Sequence, residues 1–444
     1  MALGARKLYK LSLAEVELMK ASESDPNLWA SYWLQKEGSE KPFQFDYNFT
    51  EEGKWQVAAV MAKQEGILVV SGISTGKAQP LDAKILTPTG WTTMGKVKVG
   101  DIVIAADGTH AGLTDIFPQG IRPVYKITLD TGEVVRADED HLWKIQRRSG
   151  REFSLFTTKE IQSMLKSFPP CSGSGYFLPF TGIVNFDTQE VPIDPYLLGL
   201  LLGDGHLGEY SLSYSTSDAE LLQYVRESIR FFKLSPKYHG PYDYYLSRDE
   251  LRGNGKTNAL KEELKRLGLD NTRSNTKFIP PKYIYNSFDV RVAILQGLLD
   301  TDGSNVHGCA VEYTTVSFQL ALDVKEIVES LGGYVRIKAR KTQCNGKLFD
   351  SYRVYISFRE WPFDPFRLKR KMEKLETRFA KPSTHGRRKQ IVSIEFDCYE
   401  EAQCILIDHK EHLYITDNWV PTHNSLGIGI GACFHATITQ EFEF

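Results

Sequence analysis

The chain has 444 residues, room for about three domains, and its 54 basic and 56 acidic side chains leave a net charge of −2, which gives no global signature of a nucleic-acid binder. No apolar run approaches the roughly 18 residues that a membrane span needs, and no leader pattern opens the chain, so a cytoplasmic protein without a membrane partner is expected. The six cysteines, Cys171, Cys309, Cys344, Cys398, Cys404 and Cys433, include no C-x-x-C pair, which argues against a zinc knuckle or a disulfide frame and suits a reducing compartment.

In chain order, the first segment is 1–77. It closes on G-I-L-V-V-S-G-I-S-T-G-K, a strand followed by a Gly-rich turn, and then stops at Lys77. The Ser that completes G-K-S stands only at Ser425. A phosphate loop works because backbone N–H groups and a helix N-terminus surround the phosphates, the Lys reaches them and the adjacent hydroxyl holds Mg²⁺. Gly76, Lys77 and Ser425 are therefore a nucleotide site cut in two. The chain cannot bind ATP and Mg²⁺ through it until residues 78–424 are gone.

Residues 78–165 and 388–424 are rich in β-branched residues and turns. A-Q-P-L-D-A-K-I-L-T-P-T-G-W opens this part at Ala78, V-K-V-G-D-I-V follows at Val97–Val103, A-D-E-D-H-L-W at Ala137–Trp143, and Q-C-I-L-I-D-H-K-E-H-L-Y at Gln403–Tyr414. The segment ends Thr422-His423-Asn424, before Ser425. An Asn amide can cyclise onto its own carbonyl, a neighbouring His can move the proton, and a Ser hydroxyl can accept an acyl group. In that order these motifs resemble the inteins, and the resemblance implies an all-β Hint splicing domain. The first residue, Ala78, has no nucleophile. The set Trp143, Cys404 and Thr422 resembles the class 3 inteins, which begin without one.

The resemblance implies a route. Cys404, as thiolate, attacks the Lys77 carbonyl while His141 polarises the amide and protonates the Ala78 nitrogen. The acyl group passes to Ser425, and Asn424 cyclises with help from His423 and from His412. Trp143 and Thr422 serve positioning, and splicing needs no cofactor. An Ala78 substitution that disables splicing is the competing reading.

Between these halves, residues 190–365 carry two related segments, L-L-G-L-L-L-G-D-G at Leu197–Gly205 and L-Q-G-L-L-D-T-D-G at Leu295–Gly303. Gly199 and Gly203, like Gly297 and Thr301, are four apart on one helix face. Two such helices can pack closely and bring Asp204 and Asp302 together as oxygen ligands for Mg²⁺ between phosphates. K-F-I-P-P-K-Y-I precedes the second motif. The pattern resembles the two-motif LAGLIDADG homing endonucleases, which implies an α+β nuclease domain, a monomeric insert, and double-stranded DNA, the uninterrupted host gene, as partner. Lys277 is the candidate for charge stabilisation at the cut phosphate. The basic run Arg367–Gln390 is expected to neutralise backbone phosphates, and Phe168–Gly175 reads as a linker.

The whole is thus a multidomain chain, a Hint domain split by a nuclease and flanked by fragments of an α/β P-loop ATPase at 1–77 and 425–444. The Trp55-Gln56 pair ahead of the loop resembles a phage terminase large subunit, part of a DNA-packaging motor. Another P-loop ATPase or helicase is the alternative host. The short piece after Ser425 suggests a truncated precursor. A splicing-disabled endonuclease, and an ATPase with a decayed insertion, are the alternatives for the chain as a whole.

Overall fold

The computed structural model describes residues 77–423, apart from 148–149, 151, 171–174, 210, 249–257, 307–309, 345 and 377–387. Gly76, Asn424 and Ser425 therefore lie outside the described residues. Residues Ala78–Asn424 pack as one compact unit.

The unit opens with nine short or long strands: β1 Gln79–Pro80, β2 Lys84–Thr87, β3 Gly90–Thr93, β4 Ile102–Ile104, β5 His110–Leu129, β6 Val134–Asp138, β7 Leu142–Arg147, β8 Ser154–Thr157 and β9 Tyr176–Phe177. One helix, α1 Thr158–Ser167, interrupts this layer, where an all-β region is expected from composition. Its cause is local. Thr157 and Glu160 form a reciprocal capping box, and Ile161 and Leu165 sit four apart on the buried face.

The middle of the unit is an internal repeat. Helix α2 Pro195–Asp204, β10 Gly205–Leu207, β11 Leu212–Ser215, α3 Ala219–Ile229, β12 Leu234–Gly240, β13 Asp243–Arg248 and α4 Ala259–Arg266 form the first copy. After the short α5 Pro281–Ile284, the same order returns as α6 Phe288–Asp302, β14 Gly303–Asn305, β15 Ala310–Thr315, α7 Phe318–Ser330, β16 Tyr334–Cys344, β17 Lys347–Ser357 and α8 Lys369–Glu376. The two four-stranded sheets have matching orders, β10-β11-β13-β12 and β14-β15-β17-β16. One core joins them, with Leu197, Leu201, Leu295 and Leu298 at its centre.

The last helix, Lys369–Glu376, lies beyond residue 365 and inside the run expected to neutralise backbone phosphates. Part of that run is core. Leu368 and Leu375 are each 1% exposed, with Met372 packed between them. Their helical spacing is masked by the surrounding lysines and arginines.

The chain then returns as β18 Gln390–Ile407, β19 Leu413–Thr416 and β20 Val420–His423. Strand β18 pairs antiparallel with β5 from Ile391↔Leu129 to Ile407↔Leu113. The repeat is therefore inserted between two strands that are neighbours in space. The connector after β9 runs extended between the layers. Its Gly182 N–H and Asn185 N–H donate to Ala106 and Gly108 carbonyls, and its Val184 N–H donates to Ser330 on α7. Gly108 has φ +88°, and a Cβ there would meet the Ile183 carbonyl oxygen at 2.0 Å, so only glycine permits the approach.

Candidate functional site

The two ends of the unit meet at a buried cluster. Strand β1 pairs with β18 through Gln79↔Gln403 and Pro80↔Ala402. One further step of that antiparallel register sets Ala78 across from Cys404. The β5–β18 register slips between Ala402 and Gln403, and a bulge there re-aims the side chains that follow it. Ala78 is fully buried and Cys404 is 2% exposed. The Tyr414 hydroxyl donates to Gln79 Oε1 at 2.6 Å, tying β19 to β1, and the Cys404 thiol is among the groups that Tyr414 senses.

His141 enters from the turn between β6 and β7. It is fully buried, and its Nε2 is hydrogen-bonded to Thr422 Oγ1 on β20. The Trp143 ring lies 4.9 Å from the imidazole, and its Nε1–H donates to Thr158 Oγ1 at 2.9 Å at the start of α1. Thr422 and His423 pair with Tyr414 and Leu413 on β19. The His412 and His423 rings are 6.1 Å apart. The backbone of His412 adopts φ +52°, a strained setting for a non-glycine residue. Residues 281 positions apart in sequence thus share one hydrogen bond, as His141 and Thr422 show.

One member of this cluster was not singled out in the sequence. Asp138 ends β6, three residues before His141, and is fully buried. Its backbone N–H donates to the Ala78 carbonyl at 3.0 Å, and the Ala78 N–H faces its carboxyl group. Burial pushes its pKa up to about 8, with the nearby Arg122 only partly offsetting the loss of water. The D-x-x-H spacing was its only sequence trace.

The second cluster lies at the C-termini of α2 and α6. These helices cross at their glycines. A Cβ on Gly199 would sit 2.4 Å from the Ile294 carbonyl oxygen and 2.9 Å from Gly297 Cα, and one on Gly203 would meet Thr301 Oγ1 at 2.1 Å. The two backbones thus touch, and each helix ends in its acid, Asp204 or Asp302. Both acids are exposed residues, and Asp302 joins Lys277 and Tyr313 in lining a recess of about 280 Å³. Crowding by protein, and then the charge of Asp204, push Asp302 up to about 6.

Lys277 does not point freely into that space. Its Nζ donates to the Leu201, Leu202, Gly203 and Gly205 carbonyls at 2.7–3.2 Å, capping the end of α2. Lys371 on α8 does the same for α6, donating to Leu299, Asp300, Thr301 and Gly303 at 2.7–3.3 Å. Burial lowers both ammonium groups to about 8. Lys371 was read only as one charge in a basic run, and aligning the two halves of the repeat would have found it.

Among the described residues no group of three or more His, Cys, Asp or Glu could hold a metal. Two carboxylates at a helix crossing fit a hard cation that takes its other oxygens from phosphates and water. On the second sheet Arg336, Lys338 and Arg340 are exposed and alternate along β16. Lys338 stands directly across from Arg353 on β17. Like charges so placed destabilise a sheet, and here Glu312 compensates one of them, pairing with Arg353 at 3.2 Å.

Residues 289–360 match the family model described as a LAGLIDADG-like domain. Among curated proteins the chain is similar to the replicative DNA helicase DnaB of Mycobacterium intracellulare, 27% identical over 381 residues that take in 81% of this chain and 60% of the relative. The chain thus spans about 60% of that relative's length. The matched share is larger than residues 78–424 alone, so the likeness runs into the flanking host sequence. This overturns the terminase expectation, and with it the phage packaging motor. The host pieces resemble a replicative helicase. The strand, Gly-rich turn and G-K-S are common to many ATPases and cannot separate the two.

Among solved structures, the Msm DnaB1 intein splicing domain bound with zinc aligns with a TM-score of 0.24 and 12% identity over 78% of this chain and 98% of that one. A mesophilic variant of the homing endonuclease I-DmoI aligns with a TM-score of 0.27 and 15% identity over 42% of this chain and 95% of that one.

Proposed function

We propose that residues 78–424 excise themselves and join Lys77 to Ser425, completing the phosphate loop of a DnaB-like replicative helicase. This reading rests on the pairing of β1 with β18 through Gln79↔Gln403, one residue from Ala78 on one strand and from Cys404 on the other. Cys404 attacks the Lys77 carbonyl and forms a thioester. His141, hydrogen-bonded to Thr422 and set beside the tilted Trp143 ring, polarises the amide. The acyl group moves to Ser425, Asn424 cyclises with His423 and His412 beside it, and the ester rearranges to a peptide bond. Gly76, Lys77 and Ser425 then serve Mg²⁺ and ATP in the joined host.

The repeat at 195–376 acts as a homing endonuclease on double-stranded DNA spanning the uninterrupted junction. Asp204 and Asp302 would hold Mg²⁺, which supplies Lewis-acid stabilisation at the cut phosphate. Lys277 and Lys371 fix the two helix ends that carry the acids.

The test is a gel of the expressed full chain. A ligated host fragment and a free insert are expected. Cys404→Ala should abolish thioester and branched ester while leaving the chain folded. Persistence of either at the wild-type rate would remove Cys404 from the role. Absence of any processing by the wild-type chain would favour the disabled-endonuclease reading.

A further inference from the structure

Within the self-excision reading, on which this inference rests, one proton needs a donor. Expelling an amine from the tetrahedral adduct at Lys77 requires a proton at the Ala78 nitrogen, because an amide anion is a very poor leaving group. His141, the expected donor, directs Nε2 at Thr422. The group that faces the Ala78 N–H is the Asp138 carboxyl. It is locked there from its own backbone, by the N–H bond to the Ala78 carbonyl at 3.0 Å, so scissile nitrogen and carboxyl cannot drift apart.

We propose that Asp138, in its carboxylic acid form, is the general acid that protonates the Ala78 nitrogen as Cys404 displaces it. The Cys404 Sγ–C bond to the Lys77 carbonyl carbon forms and the C–N bond to Ala78 breaks. The proton of Asp138 goes to that nitrogen, leaving a thioester, a free Ala78 amine and the Asp138 carboxylate. The proton shed by the thiol restores the acid, so the step neither consumes nor releases protons in net.

Three features suit the residue to the task. Asp138 is fully buried, and its Oδ1 has no hydrogen-bond partner among the described residues, an orphan polar atom at the reacting bond. A carboxylate left so would be costly, whereas an acid with a proton to give is not. The carboxylate that forms is not stranded, because Arg122 Nε lies 3.4 Å from Oδ2. The charged and titratable groups that bear on it are Arg122 from β5 and Asp140 from the following turn, where the His141 N–H also donates to the Asp138 carbonyl. Asp140 is engaged by the same guanidinium at 3.0 Å, which keeps Arg122 between the two acids and leaves Asp138 protonated near neutrality.

The test uses the full chain with a small thiol, which releases the N-terminal fragment from any thioester on Cys404. Asp138→Asn should lower that release about 100-fold or more, the usual worth of a general acid. Asp138→Glu should restore part of it. A cooperative unfolding transition matching that of the wild type reports that the variant is folded. In the wild type, thiol-released cleavage should pass through a maximum with pH and fall on the alkaline side of about 8. Release at the wild-type rate from Asp138→Asn, or a wild-type profile that rises without turning over, would overturn the assignment. If the wild-type chain itself forms no thioester, the splicing reading fails instead, and the two failures are distinguishable. Should Asp138→Asn not fold, the wild-type pH profile alone decides.

Discussion

At the scale of single residues, the nuclease cluster sets two like charges at the ends of touching helices and ties each helix end down with a buried ammonium. The cost of that arrangement is visible at Asp302, held at about 6 by burial and by Asp204. The sign for stability follows from linkage. The native state keeps the Asp302 proton up to about pH 6, whereas the unfolded chain releases it near 4, so this group's contribution to stability falls as pH rises through that window. Cation binding needs the ionised pair, so function runs the opposite way. Cleavage of junction DNA at fixed Mg²⁺ should be nearly lost at pH 5 and should rise through about 6. A flat profile from pH 5 to 8 would separate Asp302 from the cation. Asp302→Asn should abolish cutting at every pH and leave the unfolding midpoint at neutral pH unchanged or raised, since it removes a repulsion.

At the scale of elements, the contact of α2 with α6 is a glycine seam. Overpacking such a contact costs about 1–3 kcal/mol for each added group that cannot be relaxed. Gly199→Ala places its methyl 2.4 Å from a carbonyl oxygen, with backbone on both sides, and should lower stability by at least that much in urea unfolding. Gly240→Ala makes the same chemical change where the nearest atom is 3.9 Å away, and should change stability by less than about 0.5 kcal/mol. Equal losses at the two positions would show that helix approach is not limiting. These helices were legible in the sequence because small residues four apart, an apolar run and a terminal acid are all local signals. Helix α8 was not, since its apolar face of Leu368, Met372 and Leu375 is set among five basic residues between Arg367 and Lys374. Asp138 and Lys371 were hidden for a different reason. Their roles come from the partners they meet, Ala78 in one case and the end of α6 in the other, and neither meeting is written in local periodicity. The capping box of α1 was readable, but the β-rich composition around it dominated. The host was misread because the only motif present is shared by many ATPases.

At the scale of the whole unit, the helical repeat is packed into the surrounding β layer. The Nε1–H groups of Trp91 and Trp419, one on β3 and the other just before β20, both donate to Glu326 on α7. Arg291, fully buried on α6, donates to the Val184 carbonyl of the connector at 2.5 Å and to Ser330. Deepest of all is an ion network. Glu329 on α7, 1% exposed, lies 2.6 Å from Lys325 one turn earlier and 2.6 Å from Lys389, which leads into β18. Lys325 reaches on to Glu133, in the turn before β6, at 2.7 Å. Removing one member of a buried set leaves the other charges without compensation, which typically costs about 3–5 kcal/mol, far more than the intact set contributes. Glu329→Ala leaves two ammonium groups to share Glu133 as their remaining carboxylate, and one of them continues into the strand that bears Cys404. Its effect should therefore reach both activities. Chemical unfolding of purified insert should show a single transition shifted by about 3–5 kcal/mol, with splicing and junction-DNA cleavage failing together as temperature is raised. Replacing Glu329 with Leu should be milder than Ala, because it refills the space, although both lysines still lose their deepest carboxylate and keep only Glu133. Two separate transitions, with only the nuclease one displaced, would mean that the layers fold independently and that the network is merely where they touch.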